Sequence, residues 1–244
     1  MIVYLLYGPH YTGKSSLAKK LAAYYGEDKA KVCDISYHNL LDEHTTYNDL
    51  GILISLLSPA SIGKVGTILS ELANQSIYIS RYASYVEREI KESKGYKVFI
   101  FPRSFDGITY LIAKIRYARN RYNLFPENVV DEIGIFTSLF RYMSRKIEEG
   151  IAEYDDIRLI VKTKRNKPIT QDDEYEIAKR LSGGNLFTKY YDYKELDSII
   201  LNTYEEYNLA KIGVDIGYKV IEVNDILSES PDCIVSRFED GQKV

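Results

Sequence analysis

The strongest constraint on this chain lies near its start, where Gly8-Pro-His-Tyr-Thr-Gly13-Lys14-Ser15 follows the spacing G-x-x-x-x-G-K-[ST]. At ordinary residue frequencies, on the order of one chain in a hundred of this size would match that pattern by chance. Context sharpens the signal. The apolar run Ile2–Tyr7 leads directly into the motif, and Ser16–Tyr25 carries alanine, leucine and lysine at helical spacing. Strand, glycine loop and helix therefore occur in the order a phosphate cradle requires. Gly8 and Gly13 let successive backbone N–H groups turn inward toward an anion. The helix beginning near Lys14 adds unpaired N–H groups and the positive end of its dipole. In this motif Lys14 serves the β- and γ-phosphates and Ser15 offers a hydroxyl to magnesium. Tyr11, Thr12 and Ser16 line the same phosphate path, and Pro9 stiffens the start of the loop.

Beyond the loop, short runs rich in β-branched and aromatic residues recur at Lys31–Ser36, Tyr96–Phe101, Ile157–Lys162 and Tyr218–Asn224. Helix-length segments separate them. Between Ile68 and Lys94 the positions Leu69, Leu72, Ser76, Ile79, Ala83, Val86 and Ile90 recur at three- and four-residue steps, with Tyr78, Arg81 and Tyr85 on a different face. Ile108–Tyr122, Val129–Glu149 and Glu195–Lys211 read as further helices. Alternating strands and helices predict an α/β chain with a P-loop NTPase-type three-layer fold. Its sheet is mainly parallel and five-stranded, with helices on both faces. The polar stretch 163–193, with Pro168, Asp172–Glu174 and Gly183–Gly184, reads as a mobile lid with a short helix near Tyr175–Leu181. No repeat or linker divides the 244 residues, which are expected to form a single domain.

Composition excludes several classes of function. A formal net charge of −3 gives no general attraction to nucleic acid or anionic lipid, so an anionic ligand needs local basic groups. No apolar run approaches the roughly 18 residues of a membrane span, and an apolar strand-like run begins at the second residue, where a signal peptide would carry charge. Cys33 and Cys233 give neither a disulfide framework nor a metal spacing, and His10, His38 and His44 form no ligand pattern. A cytoplasmic protein with reduced thiols is expected.

Further candidate residues lie where strands end, since open parallel sheets bind ligands at their carboxyl edge. Arg103 follows the third strand-like run and is within reach of a phosphate, and Asp106 either holds magnesium through water or caps the next helix. Lys162, Lys164, Arg165, Lys167, Lys179, Arg180 and Lys189 supply positive charge that could close over a transferring phosphoryl group, with Arg180 the leading candidate. Asp34 reads as an ordinary half-exposed acid at a strand end.

With these residues assembled, the chain resembles a divergent thymidylate kinase within the nucleoside and nucleotide monophosphate kinases. Glu71–Arg81 resembles the family's helix whose arginine faces the base, and Lys97–Arg103 its strand ending in Asp-Arg. Asp155–Lys162 resembles the strand before the basic lid, while Tyr204, Tyr207 and Val220–Asn224 follow in the family's order. The resemblance implies ATP and magnesium at Lys14 and Ser15, bridging phosphates at Arg103 and the acceptor base at Arg81; His10, Arg103 and Asp106 are further candidates for acceptor contacts. Lys14, Arg103 and Arg180 are the candidate catalytic residues, and the resemblance also implies dTMP as acceptor and a homodimer. Three positions depart from the family pattern. His10 stands where the loop usually carries Asp, Pro102 replaces the acid before Arg103, and Asp34-Ile-Ser follows the second strand instead of Arg-Glu-Pro. A proline cannot hold magnesium or act as a base, so that role would fall to Asp106, Asp34 or water. Two alternatives remain open: a kinase for another nucleotide or a nucleoside, and a nucleotide-binding sensor that has lost transfer. A motor-type ATPase fits least, because Pro102 stands where its Walker B acid belongs.

Overall fold

A computed structural model describes residues 1–35, 40, 62–128, 130–151, 156–165, 192–207, 209–225 and 227–240. Five strands form one sheet: β1 (Ile2–Tyr7), β2 (Ala30–Val32), β3 (Val98–Phe101), β4 (Asp156–Val161) and β5 (Lys219–Glu222). Their spatial order is β2-β3-β1-β4-β5 and every pairing is parallel. The three-layer P-loop architecture expected from the sequence is therefore present. β1 lies at the centre, so the loop that follows it emerges from the middle of the carboxyl edge, between the crossovers to either side.

Alternation along the strands decides which helix covers which face. Tyr4, Leu6, Val98, Ile100, Ile160 and Ile221 pack beneath α1 (Lys14–Tyr25) and α7 (Pro231–Glu239). Val3, Leu5, Tyr7, Phe99, Phe101, Leu159 and Val161 face the other layer. That layer contains α2 (Ile62–Glu92), α3 (Asp106–Tyr122), α4 (Glu132–Gly150), α5 (Tyr193–Glu206) and α6 (Leu209–Asp215). α3 is buried along most of its length, from Asp106 to Ala118, because α2, α4 and α5 surround it.

The structure corrects several expected boundaries. β2 ends at Val32 rather than Ser36, although the Cys33 N–H still donates to the Ile100 carbonyl at 2.8 Å before the chain turns toward the loop. The helix expected over 195–211 is two helices, broken where Tyr207 takes an extended backbone and stacks on Phe136 at 4.4 Å between ring centroids. On α2 the buried face is wider than the apolar stripe alone. Gln75, Tyr78 and Tyr82 are buried, whereas Ser76 is exposed, so Tyr78 belongs to the inward face. α7 escaped the periodicity reading, but its signal was present. Ser230 caps Cys233 N–H, Pro231 occupies the first turn, and Ile234, Val235 and Phe238 reach the core. The lid segment expected over 163–193 lies mostly outside the described residues, including its short helix.

Candidate phosphate-binding site

The loop after β1 is shaped by backbone that side chains resist. Tyr11 and Gly13 both have left-handed φ values, 59° and 90°, which reverse the chain twice within three residues. At Gly8 the restriction is steric: a Cβ there would run into the Lys162 carbonyl at the end of β4. Gly13 is the residue before α1 and makes no side-chain cap, and no acid occupies the first turn of that helix. The helix start therefore offers uncapped N–H groups and uncancelled positive potential to an anion. Thr12 fastens the turn by donating to the Pro9 carbonyl at 2.9 Å.

Lys14 lies inside this loop with only 7% of its side chain exposed. Its ammonium donates to the carbonyls of Gly8 and Pro9, the latter at 2.8 Å, and pairs with the Asp106 carboxylate at 3.3 Å. The same carboxylate accepts from the Gly8 N–H at 3.4 Å. Burial pushes the Lys14 ammonium below its ordinary range and the Asp106 carboxyl above its own, each opposed by the attraction between them. Asp106 does not cap α3, whose cap position is Phe105; its side chain is turned onto the loop and is 4% exposed. It acts as the buried counter-ion of Lys14. The surrounding phenols of Tyr78, Tyr110 and Tyr204 are pushed up by burial and, after that, by the Asp106 charge. They remain protonated donors at neutral pH.

A second group of charges stands at the open side of the loop. Arg103 follows β3 and its Nε lies 3.2 Å from Asp34 Oδ1, both side chains being about one-third exposed at 29% and 31%. The Ser15 hydroxyl donates to the other Asp34 oxygen at 3.5 Å. Asp34, taken from sequence as an ordinary strand-end acid, is thus in contact with both the motif serine and Arg103. The His10 ring is stacked on Tyr110, with centroids 5.1 Å apart and planes inclined by 19°. Arg81 donates to the Leu40 carbonyl at 2.8 Å. Arg180, Lys167, Lys179 and Lys189 lie outside the described residues.

In sequence Arg165 is one member of a charged run. Its Nη1 and Nη2 bind both Asp197 oxygens on α5, at 2.8 and 2.9 Å, while Nε donates to the His10 carbonyl at 3.1 Å. One guanidinium therefore fastens the tip of the loop to the helical layer. Nothing in the local sequence pairs these residues; their separation of 32 positions hides the contact. Asp197→Asn should cost about 1–3 kcal/mol, the usual penalty for leaving a buried polar group part-satisfied. Urea denaturation of the two proteins measures it, and unchanged midpoints would contradict the clamp.

Among the described residues no helix is long and apolar enough to cross a membrane. No family model and no curated protein matches the chain. Among solved structures, it is similar to a thymidylate kinase from Candida albicans at 13% identity and a TM-score of 0.44, covering 98% of this chain and 89% of that one. A deoxyadenosine kinase from M. mycoides, with the products dCMP and a flexible dCDP bound, matches at 14% identity and a TM-score of 0.45, over 98% and 97% of the two chains. The YorR protein of Bacillus subtilis, in complex with phosphorylated GDP, matches at 13% identity and a TM-score of 0.37, over 98% and 94%.

Proposed function

We infer that this protein is an ATP-dependent phosphotransferase of the nucleoside monophosphate kinase type, with dTMP as acceptor. The observation that carries the reading is the loop itself: an uncapped helix start, a glycine that only a bare Cα can fill, and an enclosed lysine. That arrangement holds a polyphosphate by charge and N–H donors. Arg103 stands beside it at the same sheet edge, as a second cation for the bridging or acceptor phosphate.

The chemistry needed is mostly positioning and charge neutralisation. A monophosphate acceptor is already ionised, so Pro102 in place of an acid removes no essential base. Lys14 must exchange its Gly8 and Pro9 carbonyls for phosphate oxygens, while Asp106 holds the amine in the loop during that exchange. Arg165 keeps the loop tip fixed through the His10 carbonyl. Magnesium suits the hard hydroxyl oxygen of Ser15, because it is held by few protein groups together with substrate phosphates. When bound, it neutralises charge on the β- and γ-oxygens. The motif order that resembles thymidylate kinases, with Arg81 on α2 and Arg103 after β3, favours dTMP and a homodimer.

The test is a product count. Purified protein with ATP and magnesium is offered a panel of nucleosides and nucleoside monophosphates. Diphosphate should form from dTMP faster than from any other acceptor. Monophosphate formed from nucleosides would move the acceptor class, and ATP binding without product from any acceptor would leave a nucleotide sensor instead.

A further inference from the structure

We propose that Asp34 supplies the metal-side carboxylate that Pro102 cannot, so that the magnesium site of this protein is built across β2 and β3 rather than on β3 alone. The proposal rests on the phosphate-binding reading of the loop and adds a residue to it.

Register carries the first part of the argument. β2 and β3 are parallel neighbours with Ala30 beside Val98, Lys31 beside Phe99 and Val32 beside Ile100. The ladder continues one step further through the Cys33 N–H to the Ile100 carbonyl. Carrying the same offset forward brings position 34 alongside position 102. An acid displaced by one strand can thus serve the same volume as an acid at 102, because neighbouring strands are only about 4.8 Å apart. The ion pair between Asp34 and the next residue, Arg103, at 3.2 Å shows that the side chain does lie on that side.

Partner chemistry carries the second part. Asp106 and Asp34 each contact residues of the loop. Asp106 is enclosed, 4% exposed, and committed to Lys14 and the Gly8 N–H. Asp34 is 31% exposed, with one oxygen toward Arg103 and the other 3.5 Å from the Ser15 hydroxyl. A cation seated against the Ser15 oxygen would have this carboxylate within reach, directly or through one water. The Arg103–Asp34 pair is also arranged to receive a metal–phosphate ligand as a unit. Arg103 would turn from Asp34 to the phosphate oxygens, and Asp34 would be left to hold the metal. A part-exposed ion pair is worth only about 0–1 kcal/mol, so the exchange costs little.

The experiment measures metal binding without turnover. Manganese serves as the probe, its free concentration read by electron paramagnetic resonance, with a non-hydrolysable ATP analogue bound to the full chain. Asp34→Asn, nearly isosteric at a part-exposed position, should weaken manganese binding to the protein–analogue complex about tenfold, as loss of a metal-side carboxylate does. Its affinity for the analogue in EDTA should be equal or tighter, since a negative charge near the triphosphate is gone. Unchanged manganese affinity in the variant overturns the proposal, and a fall in turnover alone would then assign Asp34 to the acceptor. In that case the phosphate-loop reading survives if Lys14→Ala still loses the analogue. Failure of the unaltered protein to bind the analogue with or without metal overturns both.

Discussion

Lys14→Ala is expected to lower phosphoryl transfer by two to three orders of magnitude or more, the scale of removing one fixed donor to developing charge (about 3–4 kcal/mol). The reason is position rather than charge alone. Lys14 is held inside the loop by Asp106 and two loop carbonyls, where a phosphate oxygen would sit. A surface cation cannot replace it, because water screens a flexible ammonium that approaches from outside. Single-turnover kinetics with ATP and the best acceptor, beside a circular-dichroism check of fold, measures the effect. Near-normal turnover would remove the loop from the chemistry. Loss of analogue binding with retained fold is the companion result that ties the loss to the phosphate cradle.

The largest stability effect is expected at the partner of that lysine. Asp106→Ala leaves a buried ammonium without its counter-ion and the Gly8 N–H without its acceptor, which should destabilise the fold by about 3–5 kcal/mol. Removing Lys14 as well removes the stranded charge. The double variant should therefore be more stable than the sum of the two single losses, with a coupling of about 0.5–3 kcal/mol. Urea denaturation of the four proteins closes this cycle. Strict additivity would mean that the two groups do not meet energetically, despite the 3.3 Å between them. The outcome bears on the proposed function, because a loop lysine that is both buried and paired would be positioned before a phosphate arrived.

Much of the architecture was legible in sequence for local reasons. Strands β1, β3, β4 and β5 are short apolar runs whose inward faces follow from a period of two, and the glycine spacing of the loop has few other uses. The boundaries that moved did so where tertiary partners overruled local pattern. Tyr207 breaks a helix to stack on Phe136, and Tyr78 turns inward because Gly107 leaves room for its ring: a Cβ on that glycine would come within 2.8 Å of it. Arg103 was placed correctly at the sheet edge. Asp106 reads from sequence as a metal, cap or acceptor residue; it does not cap α3, because its carboxylate is buried against Lys14.

What the linear order determined was a glycine loop with the spacing of a phosphate cradle, set between a strand and a helix in an alternating chain that must form a parallel sheet. Periodicity and glycine spacing are local, so a single sequence displays them. Which carboxylate faces which cation was decided only in three dimensions. Asp34 meets Ser15 and Arg103, and Asp197 meets Arg165, through a strand register and a helix crossing that no local pattern encodes. Electrostatic partners act over a few ångströms of space, and the fold chooses which distant residues share them.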